Sequence, residues 1–167
     1  MTAQIALPTP RTPDPMTAPP LRWGILGTGG IAHTFAAALA ARTRQRVVAV
    51  GSRTLARAEA FGVEVGARGY GSYAALVADP SVDVVYVATP HSAHREDALL
   101  ALAAGKPVLV EKAFTRNAGE ARAVVGAAAA AGLFCAEAMW TRFLPGTDIL
   151  RQALTSGLLG QVTTVFA

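Results

Sequence analysis

Residues 23–35, WGILGTGGIAHTF, set the terms for the rest of the chain. Trp23-Gly24-Ile25-Leu26 is an apolar run too short for a helix and broken by glycine, which reads as a buried strand. It runs directly into Gly27-Thr28-Gly29-Gly30-Ile31-Ala32. This is G-x-G-x-x-A, the dinucleotide fingerprint with alanine at its third small position. Gly27 lets the chain turn sharply off the strand. Gly29 leaves the main chain bare for a pyrophosphate. Ala32 lets the next helix pack closely on the sheet. That helix would aim its free N–H groups and the positive end of its dipole at the phosphates, with Thr28, Gly30 and Ile31 completing the cradle. In a chain rich in Gly and Ala the bare pattern also fits an ordinary strand-turn-helix. Its context favours a nucleotide. Ile31, Phe35 and Leu39 fall on one helical face, and the β-like run Val47-Val48-Ala49-Val50 follows, as a βαβ unit requires.

The alternation continues. Strands are expected at 22–26, 46–51, 82–88, 107–110 and 133–138, with a short extended piece at 69–71. Helices are expected at 31–42, 55–61, 94–104, 118–131 and 144–155, with a short one opened by an N-cap at Ser72. Gly105 and Gly132 are placed as helix C-caps, and Asn117 as an N-cap. Run 82–88, VDVVYVA, is the most β-like and the expected central strand. Strands alternating with helices imply an α/β fold: a Rossmann-like, doubly wound, mainly parallel sheet with helices on both faces. Residues 1–20 carry six prolines, lack a signal-peptide pattern, and are expected to be a disordered extension. Met16 is a possible native start in place of Met1. Residues 21–141 make the nucleotide-binding domain. Residues 142–167 make a connecting helix and, from Val162, a further strand.

In such a sheet, ligands sit beyond the carboxyl ends of the strands. The loop after the second strand carries Ser52 and Arg53 where an NAD reader would carry Asp or Glu. A carboxylate repels a ribose 2′-phosphate, whereas a hydroxyl and a guanidinium hold it, so the tip favours NADP over NAD. The loop after the central strand carries Thr89, Pro90, His91 and His94, each histidine open to a cofactor role or to a hydrogen-bonded turn role. Glu111 and Lys112 emerge from the next buried strand. Such charges are expensive unless paired or used. They make either a structural Glu–Lys pair or a site in which Lys112 donates to a substrate hydroxyl beside the nicotinamide ribose. Trp140 and Arg142 fit a pocket wall or a packing role.

Other classes are disfavoured. The basic residues give a net charge of +4 but are scattered and not interleaved with aromatics, so nucleic acid is not an expected partner. No stretch of 18 apolar residues implies a membrane span. The single cysteine, Cys135, offers no disulfide framework and suits a reducing, cytoplasmic setting. No metal-ligand cluster accompanies the histidines.

Taken together, these residues resemble the amino-terminal half of the Gfo/Idh/MocA oxidoreductases over about residues 21–167. The carriers are G-x-G-x-x-A at 27–32, Ser52-Arg53, Thr89-Pro90-His91-x-x-His94, Ala104-Gly105-Lys106-Pro107, Glu111-Lys112 and the string EAMWTRFLP at 137–145. That string is similar to the branch of the dihydrodiol and NADP-dependent D-xylose dehydrogenases. The resemblance implies an NADP-linked oxidoreductase acting on a small aldose or cyclic diol. It implies Lys112 as the family's lysine near the nicotinamide. It also implies a second α/β domain that completes the substrate pocket, of which residues from Val162 would be the first strand, the rest being missing. Without that domain the chain is expected to be inactive or nearly so, and a family-like homo-oligomer would need it. Two departures stand out: Ala113 replaces the family's proline, and His91 stands where many members have Asn. The alternatives are a nucleotide-binding module without catalysis, or a reductase of another small sugar or carbonyl compound.

Overall fold

The computed structural model describes residues 6–166. Its larger unit, Pro15–Ala138, is a six-stranded, fully parallel sheet. The elements follow in chain order as β1 (Arg22–Leu26), α1 (Gly30–Arg42), β2 (Arg46–Gly51), α2 (Leu55–Val65), β3 (Arg68–Tyr70), α3 (Tyr73–Val77), β4 (Val84–Val87), α4 (His94–Ala103), β5 (Val108–Val110), α5 (Ala118–Ala131) and β6 (Cys135–Glu137). The strand order is β3-β2-β1-β4-β5-β6. The chain winds outward from β1 to β3, then crosses back to lay β4 on the other side of β1. The point of reversal lies between β1 and β4, where this fold class binds its ligands.

Period-two alternation in the strands divides the core into two layers. Trp23, Ile25, Val84 and Tyr86 face one side with Ala32, Ala36, Leu39 and Phe61 of α1 and α2. Leu26, Val85, Val87, Val108 and Val110 face the other, against Leu76, Ala98, Leu102, Val124 and Ala128 of α3, α4 and α5. Both faces being covered explains why the strands read as continuous apolar runs. A Cβ on Gly24 would lie 2.7 Å from Leu76 Cδ2 and 3.0 Å from Val82 Cγ1, so a larger residue there would have to displace core side chains.

The caps are where the side-chain chemistry places them. Ser72 Oγ accepts from the Ala75 N–H at 3.2 Å, and Asn117 Oδ1 from the Glu120 N–H at 3.0 Å. Gly105 and Gly132 close their helices at φ +74° and +65°.

Three local expectations are corrected. Helix α2 does not stop at Phe61. Gly62 sits inside it because a Cβ would come 2.5 Å from Ala67 O, and the terminating glycine is Gly66, at φ +69°. The inward face of α1 is Ala32, Phe35, Ala36 and Leu39, so Phe35 and Leu39 face the core as expected and Ile31 does not. Turning the small third residue of the fingerprint onto the sheet rotates Ile31 outward, where it is 44% exposed. Residues 162–166, expected to begin a strand, form none. β-propensity is realised only against a neighbouring strand, and no described strand pairs with them.

The smaller unit joins the described residues before Pro15 to those from Met139 onward. It holds a 3₁₀ turn, Trp140–Phe143, and α6, Pro145–Thr155. Asp148 is its anchor. It accepts from Arg151, from the Arg11 main-chain N–H and from Gln152, which together hold its pKa at about 2. Among the described residues no helix is long and apolar enough to cross a membrane.

Candidate nucleotide site

The carboxyl ends of β2, β1, β4 and β5 lie side by side in that order, so their loops form one continuous edge. Gly27 leaves β1 at φ +106°, a conformation suited to glycine, and its N–H donates to Gly51 O at 2.9 Å. A Cβ on Gly27 would lie 2.6 Å from Ala88 O, so the turn is pressed against the end of β4. Gly29 and Gly30 differ in kind. Both are exposed, and a Cβ on either would meet nothing within 4 Å. The packing of the fold does not require glycine there. A ligand approaching the main chain would, and the start of α1 offers N–H groups at the same place. Thr28 is half-buried and Ile31 exposed beside them, while Ala32 is fully buried under the helix.

At the tip of β2, Ser52 is buried and its Oγ accepts from the Thr54 N–H at 3.3 Å. Arg53 is exposed. A cleft of about 290 Å³ between α1 and α2 brings Thr28 of the fingerprint together with Arg57 in the first turn of α2. Sequence reasoning missed Arg57. No local signal separates it from the chain's other arginines; the cleft it shares with Thr28 does. A larger cavity, about 340 Å³, lies by Arg46 and Val47 at the opposite end of β2 and is not part of this edge.

The loops after β4 and β5 are stitched together by the two histidines. His94 is fully buried, with Nε2 at 2.9 Å from Thr89 O and Nδ1 at 3.0 Å from Ala113 O. It holds the walls of the site from beneath and does not line them. His91 is exposed, and its Nε2 lies 2.8 Å from Lys112 O and 3.2 Å from the Ala113 nitrogen. Pro90, directly before His91, is exposed. The Thr89 hydroxyl is buried without a hydrogen bond, as is Asp97 Oδ2 on α4. Burial raises the pKa of Asp97.

Of the two readings of residues 111–112, the structural one, a Glu111–Lys112 salt bridge, does not form. Glu111 is buried and accepts from Tyr86 Oη at 2.5 Å and from the Lys112 main-chain N–H at 3.0 Å. The Lys112 side chain is left exposed at the edge. The Lys112–Ala113 peptide is cis although residue 113 is not proline. Trp140 and Arg142 lie on the 3₁₀ turn of the smaller unit, both exposed.

Residues 21–139 match the Gfo/Idh/MocA oxidoreductase family, described by its NAD-binding Rossmann fold. Among curated relatives, the chain is 47% identical over 160 residues to D-xylose 1-dehydrogenase (NADP(+)) of Hypocrea jecorina, covering 88% of this chain and 41% of that protein. It is 45% identical over 145 residues to human trans-1,2-dihydrobenzene-1,2-diol dehydrogenase, covering 85% of this chain and 43% of that one. The chain thus spans less than half the length of these relatives. Among solved structures, KijD10, a 3-ketoreductase from Actinomadura kijaniata in complex with NADP and TDP-benzene, superposes with a TM-score of 0.77 at 33% identity. That match covers 84% of this chain and 43% of that one. An NAD-binding oxidoreductase from Klebsiella pneumoniae gives 0.79 at 30% identity, covering 85% and 40%.

Proposed function

The chain belongs to the Gfo/Idh/MocA oxidoreductase family, and on that premise we propose that it is the nucleotide-binding part of an NADP-linked dehydrogenase acting on a C–OH of a small aldose or cyclic diol. The observation that carries the cofactor reading is the contrast within the fingerprint. Gly27 is glycine because the fold needs it, whereas a Cβ at Gly29 or Gly30 would meet nothing within 4 Å, which leaves the main chain at the start of α1 open to a ligand. The cradle therefore fits a dinucleotide pyrophosphate.

The nicotinamide, when bound, supplies the hydride chemistry. The chain's own residues bind, orient and handle protons. Gly29, Gly30 and the first N–H groups of α1 receive the pyrophosphate. Arg53 and Arg57, with the Ser52–Thr54 turn beneath them, receive the 2′-phosphate. Thr89, Pro90 and His91 form the rim after β4, held in place by buried His94. Lys112, carried on the rim after β5, donates to the reacting oxygen and eases movement of its proton. The substrate class rests on the xylose and dihydrodiol dehydrogenases to which the chain is similar.

The test is Arg53→Ala, followed by nucleotide fluorescence. A hydrogen bond to a charged group is worth about 1.5–3 kcal/mol, so NADPH affinity should fall about 10- to 100-fold while NADH affinity holds. An unchanged NADPH/NADH affinity ratio in Arg53→Ala, and again in Arg53→Ala/Arg57→Ala, would overturn the 2′-phosphate assignment.

A further inference from the structure

Tyr86 lies in the middle of the central strand, 1% exposed, where phenylalanine would fill the same apolar layer. A buried hydroxyl needs a partner, and the sheet register supplies one. Tyr86 pairs with Leu109 of β5, and Glu111 is two residues further on the same face. The phenol spans that step and donates to Glu111 Oε1 at 2.5 Å. Its ring is held on its far side. Phe35 of α1 stacks on it with centroids 4.0 Å apart, and Trp23 meets Phe35 edge-on at 5.1 Å. Glu111 passes the constraint on, because its second oxygen accepts the main-chain N–H of Lys112 at 3.0 Å.

We propose that Tyr86 is a positioning residue for Lys112. Through Glu111 it fixes the point on the main chain from which the lysine side chain leaves the buried strand for the exposed edge. The aromatic column ties that point to α1, the helix that opens the pyrophosphate cradle, so the two ends of the cofactor site share one rigid reference. Burial and the neighbouring Glu111 carboxylate raise the Tyr86 pKa beyond the usual phenol range, which keeps the hydroxyl a donor. The inference rests on the reading of Lys112 as a residue beside the nicotinamide.

The chain has two lysines, Lys106 and Lys112, so [15N]lysine labelling of the intact 167-residue chain yields two main-chain amide signals from lysine. Lys106 serves as the internal reference, its N–H donating to Ala101 O at 3.0 Å. In Tyr86→Phe, exchange of the Lys112 amide should accelerate about 10- to 100-fold, the factor that a hydrogen bond to a charged acceptor is worth, with Lys106 unmoved. The NADPH-induced shift of the Lys112 signal should shrink or broaden as well. A Tyr86 that only stabilised the core would lower the melting temperature and leave both Lys112 responses as in the parent chain. That result overturns the proposal. If Tyr86→Phe does not fold, Phe35→Leu, which removes the ring stacked on Tyr86 and leaves Glu111 in place, carries the same comparison: faster Lys112 exchange with Lys106 unmoved supports the relay, and unchanged exchange overturns it. Should NADPH leave the parent Lys112 signal unmoved, the nicotinamide reading of Lys112 fails, while exchange without NADPH still decides whether Tyr86 holds that amide.

Discussion

Two glycines of the fingerprint, separated by one residue, should respond in opposite ways to the same substitution. At Gly27, alanine would have to adopt φ +106°, with its Cβ 2.6 Å from Ala88 O and 3.0 Å from Ala88 C. The unusual conformation costs about 1–3 kcal/mol, and forcing a methyl against main chain that cannot swing aside costs a further ~1–3 kcal/mol. A loss of about 2–6 kcal/mol follows, a large fraction of the 5–15 kcal/mol typical of a domain. At Gly29 the main chain is extended, φ −86° and ψ 172°, and the added methyl meets no atom. Reduced unfolded-state freedom and a slightly poorer helix cap nearly offset each other, so stability should stay within about 1 kcal/mol of the parent. The methyl would nevertheless occupy the space assigned to the pyrophosphate, and NADPH affinity should fall at least about tenfold. Urea unfolding and NADPH fluorescence titration on both variants separate the effects. If Gly29→Ala unfolds as readily as Gly27→Ala, or binds NADPH as the parent does, the distinction between a fold glycine and a ligand glycine is refuted.

Asp97 keeps its proton above the ordinary aspartate range in the folded chain because it is buried, whereas the unfolded chain has already released it there. Stability from this group is therefore full below the ordinary aspartate pKa and is lost as pH rises through the raised one. Asp97→Asn should flatten that decline and unfold later than the parent at pH 7, as read from urea midpoints between pH 4 and 7. Gly62→Ala should destabilise despite alanine's better helix propensity, by about 1–3 kcal/mol, because its methyl would press on Ala67 O at 2.5 Å; a higher melting temperature would contradict this. Asn117→Ala removes the side-chain acceptor at the start of α5 and should cost about 1 kcal/mol by denaturant unfolding, with NADPH affinity unchanged.

The sheet was legible in the sequence wherever short-range pattern decides structure. Apolar runs ending in glycine or proline became strands, and Ser72, Gly105, Asn117 and Gly132 capped helices because capping depends on neighbours within a few residues. The edge of loops at the carboxyl ends followed from strand–helix alternation alone. What escaped depends on reach across the fold. Nothing local to Tyr86 shows that its hydroxyl meets Glu111, and the charge pair at 111–112 looked self-contained until the register placed a phenol against it. Helix α2 was expected to end at Phe61, because the loop that Gly62 makes room for is formed by residues beyond it. Residues 162–166 carried strand propensity without a partner to realise it. Arg57 was hidden among the chain's many arginines, and only the cleft it shares with Thr28 sets it apart.

The central claim is that this edge holds a dinucleotide carrying a 2′-phosphate. Titration of the intact 167-residue chain with NADPH and with NADH, following nicotinamide fluorescence and tryptophan quenching, tests it most directly. The expected result is saturable binding with NADPH at least about tenfold tighter than NADH, the preference one charged hydrogen bond supplies. Equal affinity for the two would contradict the role of Arg53 and Arg57. A chain that unfolds cooperatively yet binds neither would contradict the assignment of the glycine cradle itself.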